Sequence, residues 1–479
     1  MYIISLYFLA LVSAGLLLYH AVPNLLWRRI VIFLLNAVFL ISQFNNPTDM
    51  IPLLIFILSS YLCIWAIQRF RIPYLFPASL MLLLLIFVYL KQYDIMKYIF
   101  TFAKPFNVIG LSYVLFRILQ LLVDAYQGDI KEKLSPLRTF NYLFFFPAFL
   151  SGPIQRYQDY RDQENDIEIL NLSSETVYEA FSRIANGLLK VVLISAIFQS
   201  GYNDAILAMK FNVNSLLLGV WYCLACMAYL LHLYISFSGY VDVVIGVGRL
   251  FGFTLPENFN WPLSSKNFLE FWSRWHISLS EWFKLYLFNP IVKALNHRYL
   301  NPKVVPYYGV VAFFVTFFIM GLWHGTTLVY VLYGLFLGLG VSINKLYEVV
   351  MRKYLGKKRF TGLRLNKFYS VFCQSLTITY FAIALTCLWL DMTGLLKLTE
   401  SLGLSGLFTA IGLCIALTLM GIFISGLIKI FANFMVKYLR VDTSSFWLQQ
   451  LGLSGRLLIL IFALFSQTAQ IPIIQYIGF

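Results

Sequence analysis

FWSRWHISLSEWFKLYLF, residues 271–288, carries a histidine, an arginine and several tryptophans inside a chain that is otherwise largely lipid-soluble. Phe268, Trp272, Trp275, Leu279, Trp282 and Phe283 recur at steps of three and four, the spacing of one stripe on an α-helix. Glu270, Arg274, Glu281 and Lys284 fall on the other side. His276 lies on the flank of the stripe, about 80° round from Phe268 at roughly 100° per residue. Ser264 or Ser265 is placed to cap the start. Such a helix is too polar to span a bilayer. It suits an interface or the wall of a cleft, with aromatics in lipid or protein and charges in water.

The surrounding chain sets the compartment. Of 479 residues, 60% are hydrophobic and 12% charged, with a mean hydropathy of +0.77. A soluble domain carries about a quarter charged residues, so the composition predicts an all-α polytopic membrane protein. The first apolar stretch has no basic leader and no small-residue cleavage site, so it reads as a span. Cys223 and Cys226 form a CxxC inside an apolar helical run, where thiols serve packing. The net charge of +15 suits basic loops beside anionic lipid and needs no nucleic acid.

A span takes about 20 apolar residues. Candidates are 3–26, 30–44, 50–67, 73–90, 98–123, 180–200, 214–236, 304–322, 326–345, 370–390, 404–430 and 456–475, about twelve in all. They are expected to form one membrane-embedded domain, 1–479, with a motif-bearing core near 140–345 and C-terminal helices at 370–479. The densest basic run is Arg352, Lys353, Lys357, Lys358, Arg359, Arg364 and Lys367. It predicts a cytoplasmic 346–368 loop and an outside N-terminus.

Two regions resist a simple span reading. Residues 142–157, YLFFFPAFLSGPIQRY, are apolar but broken by Pro147, Gly152 and Pro153. Non-helical backbone survives at membrane depth only where protein or water satisfies it, so a re-entrant segment is predicted. Residues 236–303 contain SFSGYVDVVIGVGRLFGF, then TLPENFNWPLSS, then the stretch quoted first. Asp242 within the apolar run is costly and so a functional candidate.

Among five histidines, His20, His232 and His297 read as structural. His324 lies in GLWHG, at a junction of two apolar segments. A titratable group there must be hydrogen-bonded or wet. A catalytic base and a hydrogen-bonded helix-turn histidine both fit. His276 and His324 are 48 residues apart. One helix of that length would run about 72 Å, so the pair meets only through tertiary folding. Histidine suits acyl transfer because its pKa near 6.5 lets it take a hydroxyl proton at neutral pH. No Walker loop, HExxH or paired CxxC competes, and no carboxylate–histidine cluster has ligand spacing, so no metal is expected.

These residues resemble the membrane-bound O-acyltransferase (MBOAT) family, and within it the bacterial alginate O-acetyltransferase branch. FPAFLSGPIQRY (146–157), FSGYVDVVIGVGRLFGFTLPENFNWP (237–262), FWSRWHISLSEW (271–282) and GLWHG (321–325) are similar to that branch's motifs, in its order. The resemblance implies a ring of about 11–13 transmembrane helices, with re-entrant and interfacial helices around a central tunnel. It gives His324 the catalytic role and His276 a supporting one. It implies a multi-pass protein of the bacterial inner membrane, surrounded by membrane lipids and with no permanently bound cofactor. The donor would be acetyl-CoA or another acyl thioester, and the acceptor an exported polysaccharide or a periplasmic modifying protein. Candidate substrate contacts are Arg274, Trp275, Trp323, Asp242 and Arg156, with Trp323 and Arg274 placed to donate to the thioester carbonyl. Where the alginate branch has YLYIPLGGNR, this chain has YLFNPIVKALNHRYL (286–300), so no particular polymer follows. Two other readings stand. One is D-alanyl transfer to teichoic acid, drawing on an acyl carrier protein. The other, of another class, is a polysaccharide transporter, which would have no need of the histidine pair.

Overall fold

The computed structural model describes residues 5–44, 46–70, 72–94, 110–166, 173–211, 214–299, 301–439, 452–456 and 458–459. Within these the chain is helical, with one isolated β-bridge between Phe259 and Trp275. The helices are α1 (Leu6–Ala21), α2 (Leu25–Ile41), α3 (Ile51–Arg69), α4 (Leu75–Lys91), α5 (Leu111–Gln127) and α6 (Pro136–Leu143). There follow α7 (Tyr157–Asp166), α8 (Ser174–Leu189), α9 (Ser195–Phe211) and α10 (Ser215–Leu250). The last seven are α11 (Phe268–Trp272), α12 (Ile277–Phe283), α13 (Asn289–Arg298), α14 (Val305–His324), α15 (Val329–Leu365), α16 (Lys367–Ala384) and α17 (Met392–Leu439). A π-turn, Lys190–Ile194, joins α8 to α9 without a break.

Seven stretches among the described residues are long and apolar enough to cross a membrane, and Tyr7–Ala21 and Leu75–Lys91 are shorter apolar helices. The expected stretch 98–123 falls partly outside the described residues, and 456–475 almost wholly so. α10 is the hub and packs against α8, α9, α16 and α17. Gly239 of α10 meets Gly187 of α8 backbone to backbone, where any side chain would collide. The stretch 236–250, expected to break the pattern, instead continues this helix to Leu250. Between it and Phe268 the chain is irregular, apart from a short 3-10 turn at Pro262–Ser264. The CxxC thiols do not face each other as a pair. Cys223 Sγ lies 3.2 Å from Cys414 of α17, and Cys226 lies 3.8 Å from Thr386 Oγ1.

The segment 142–157 enters the core as a buried break. The 3-10 turn Phe146–Ala148 follows α6, and Phe146 and Ala148 are 0% and 1% exposed. Its carbonyls are met by the fully buried Arg117 of α5. The guanidinium donates to Tyr142 O at 3.3 Å, Leu143 O at 2.7 Å and Ala148 O at 3.0 Å. Asn36 of α2 accepts from Phe146 N–H at 2.8 Å. Every such bond replaces one that lipid cannot offer. Glu164 of α7 pairs with Arg29 at 3.0 Å and Arg138 at 2.6 Å, tying α2 and α6 to the same edge.

The single helix expected over 268–288 is three pieces. α11 ends after five residues, and its cap is Asn267, which accepts from Glu270 N–H, not Ser264 or Ser265. The backbone then turns through His276, which takes a left-handed φ of 45°. α12 begins beyond it and runs through a π-turn, Lys284–Phe288, into α13. The cause lies upstream. Asn258 O accepts from Ile277 N–H at 3.0 Å, and Asn258 Oδ1 accepts from both the N–H and the hydroxyl of Ser278, at 3.0 and 2.7 Å. These bonds outbid the intrahelical ladder at one turn.

Candidate active site

The left-handed turn points His276 inward, not along the helix flank. The imidazole is 1% exposed and stacks edge-on against Phe237 of α10, with centroids 5.0 Å apart. Its Nε2 lies 3.3 Å from the Tyr113 hydroxyl of α5. Burial pushes its pKa down to about 3, so the ring is neutral near pH 7. The turn is locked a second time from the re-entrant segment, because Ile154 N–H donates to Ser278 Oγ at 2.9 Å. One serine hydroxyl therefore joins the two breaks in the fold.

His324 is the last residue of α14 and is 3% exposed. Its ring packs edge-on against Tyr333 of α15 at 5.5 Å and against Trp323 at 4.8 Å. The helix end sits deep because Gly321 lets α14 lie directly on Gly334 of α15, where a Cβ would collide with backbone. That small residue serves helix packing. α5 runs between the two histidines. Tyr113, bound to His276, meets the Trp323 ring at 5.7 Å, and Phe116, one turn on, meets it at 4.9 Å. Trp282 of α12 completes the wall, donating its indole N–H to Phe116 O at 3.1 Å.

Two further groups stand here that the sequence reading missed. Tyr113 is one. Lys91 is the other: its ammonium donates to Ser112 Oγ at 2.8 Å and to Trp323 O at 3.2 Å, and lies 6.0 Å from the Trp323 ring centre. It thus caps the carbonyl end of α14 beside His324, where a cation complements the helix dipole. A lysine closing an apolar run is the signal that marks it.

The remaining candidates scatter. Trp323 is at the site, 5% exposed, and its indole N–H has no partner among the described residues. Trp275 turns away from His276 into an aromatic layer with Phe271, Phe259 and Phe381. Arg274 pairs with Glu270 at 2.9 Å and reaches Asn260 O and Ser264 Oγ. Asp242 is held by Arg183 at 3.1 Å and Lys190 at 2.6 Å, an ion pair that accounts for its cost. Arg156 is exposed and faces the Asp124–Tyr286 pair, whose hydroxyl–carboxylate distance is 2.9 Å. His232 meets Ser195 O at 3.1 Å and His20 meets Leu250 O at 3.1 Å, both bonds that brace helix backbone.

Two buried imidazoles brought from separate elements thus stand beside a lysine ammonium and an indole N–H with no partner among the described residues, a constellation of the kind that marks a candidate catalytic site. The family described as MBOAT, the membrane-bound O-acyltransferases, matches residues 59–386, which include every element of this site. The chain belongs to that family. A teichoic acid D-alanyltransferase of Bacillus subtilis (strain 168) is 32% identical over 266 residues, covering 54% of this chain and 65% of that protein. A probable alginate O-acetylase AlgI of Pseudomonas syringae pv. tomato is 32% identical over 246 residues, covering 51% of this chain and 44% of that protein. The chain thus spans between about half and two thirds of the length of these relatives, and they stand at equal identity.

Proposed function

We propose that this protein is an acyltransferase of the bacterial inner membrane. It moves an acyl group from a cytoplasmic thioester, acetyl-CoA or another, to a hydroxyl of an exported or cell-surface polysaccharide, directly or through a periplasmic partner. The observation that carries this reading is the chain of contacts that joins His276 to His324 through Tyr113 and Trp323. The acceptor oxygen attacks the thioester carbonyl carbon. Neutral His324 takes the hydroxyl proton as the C–O bond forms, then returns it to the sulfur as the C–S bond breaks, leaving a thiol. The Trp323 indole N–H is suited to the carbonyl oxygen as negative charge develops there, and the Lys91 ammonium adds positive potential. His276, fixed by Tyr113, orients its neighbours. Arg274, Trp275, Asp242 and Arg156 support the surrounding fold or the approach to it.

D-alanyl transfer from a carrier protein is the second reading. It is favoured by the greater coverage of the Bacillus relative, 65% against 44% of the Pseudomonas protein. Both readings are tested in proteoliposomes given isotopically labelled acetyl-CoA or a D-alanyl-charged carrier, with polymer acceptor. Label on polymer oxygen from either donor supports acyl transfer and chooses between them. Polymer crossing the bilayer unlabelled with both donors would instead establish a transporter.

A further inference from the structure

Away from the histidines, α15 and α16 enclose a groove of about 600 Å³ with α11 and Ile411 of α17. Its construction follows from one residue. Gly356 takes a φ of 71° and folds the last turns of α15 back on the helix. Phe360 is thereby buried against Tyr347, with ring centroids 6.2 Å apart. Arg364 comes to lie 3.5 Å from Glu348. Tyr347 and Tyr369 join their hydroxyls at 2.7 Å and bridge α15 to α16. The floor is apolar, formed by Ile343, Phe372, Leu376 and Ile383, and the first three are 60%, 52% and 42% exposed. The charged side chains of its lining are Lys266, Arg364 and Glu348. Neither His276 nor His324 lines it. The Phe268, Phe271 and Phe381 rings stand on the side toward the His276 turn.

An elongated apolar floor under a cationic mouth is the shape of an amphiphile with a negative head. The charge balance commits the choice further. Residues 346–368 carry seven basic side chains against one acid, Glu348. Such a cluster beside a membrane helix attracts anionic headgroups. Arg364 has five donors, and its 3.5 Å contact with Glu348 engages one nitrogen. A soluble anion would match the mouth and leave the floor wet, whereas a neutral lipid would match the floor and leave unmatched the net positive charge of Lys266 and Arg364 against Glu348.

We propose that this groove is a binding site for one anionic phospholipid. Its acyl chains lie along Ile343, Phe372, Leu376 and Ile383, and its phosphate is held by Lys266 and Arg364. The site is distinct from the acyl-transfer centre and does not rest on that reading. A bound lipid bridges α11, α15 and α16 and so braces the element that leads into the His276 turn.

The test uses the full-length protein in mild detergent, titrated with phosphatidylglycerol and with phosphatidylcholine of the same chains, and read by native mass spectrometry. One phosphatidylglycerol should bind roughly tenfold to thirtyfold tighter than phosphatidylcholine, the preference two cations supply. Lys266→Ala with Arg364→Gln should remove the preference while leaving chain-driven binding. Ile343→Trp, at an exposed position, should fill the groove and displace both lipids. Equal binding of the two lipids, or a preference untouched by the charge variant, would overturn the proposal. Should the charge variant be unstable, Ile343→Trp decides alone, since undiminished tight binding would place the lipid elsewhere. Displacement of the lipid by inorganic phosphate at millimolar concentration would also overturn it, showing a simple anion site.

Discussion

Two buried breaks in the helical pattern are held in opposite ways. At 142–157 the backbone is satisfied by a full charge, Arg117, whose fork spans three carbonyls. At 258–278 it is satisfied by a neutral side chain, Asn258, whose one oxygen serves two donors of Ser278. The first arrangement is costly to assemble, because a buried cation has left water. It secures the 142–157 segment. The second costs less and delivers a histidine. Ser278 joins them through Ile154, so the strong break is the anvil on which the weaker one is set. A charge holds the first break, and neutral bonds hold the turn that carries His276.

Removing the anvil should have the largest effect. Arg117→Ala abandons three charge-assisted bonds, each worth about 1.5–3 kcal/mol. Folded protein should fall to a small fraction of wild type on size-exclusion chromatography. Normal amounts of a well-folded variant would show that water, and not Arg117, satisfies those carbonyls.

The weaker break should fail in function before it fails in folding. Asn258→Ala frees the His276 turn at a cost of about 1–3 kcal/mol. The expected result is near-normal protein in the membrane with acyl transfer down roughly 10- to 100-fold. Equal losses of protein and of activity would erase the contrast between the two breaks.

A smaller effect comes from the protonation of the delivered histidine. Below pH about 6.5 the unfolded chain binds a proton at His276 that the folded chain refuses until about pH 3. Its contribution to stability is therefore complete above pH 6.5 and declines as pH falls toward 3. Between pH 7.5 and 5 the wild-type protein should lose about 2 kcal/mol through this group. His276→Asn should flatten that decline in detergent melts. Parallel curves for the two proteins would mean that the turn opens to water.

Much of this was legible in the sequence and some was not, for physical reasons. The apolar stripe of 268–283 was real, and Phe268, Trp272, Trp275 and Trp282 are all buried. Periodicity could not reveal the break at His276, because its cause is Asn258, a distant partner with no rhythm of its own. The prolines and glycines of 142–157 announced an irregular segment, but the group that satisfies it was overlooked. A lone arginine in the apolar run of α5 was the available signal. Composition promised about twelve spans. Seven long apolar helices are present among the described residues, and others are shortened or run on past their apolar windows. GLWHG located His324 but could not say what its glycine was for. Gly321 packs against Gly334, a contact visible only once α15 is in place. Tyr113 had no signal at all, being one aromatic among many until folding sets it against His276.

In the proposed mechanism His324 performs the proton transfer and His276 only positions. Its most direct test is single-turnover acyl transfer by purified wild type, His324→Ala and His276→Ala, each normalised to folded protein. General-base help is worth about 10²–10⁴-fold. His324→Ala should lose that much at unchanged protein level, while His276→Ala retains measurable turnover. Near-wild-type transfer by His324→Ala would contradict the account.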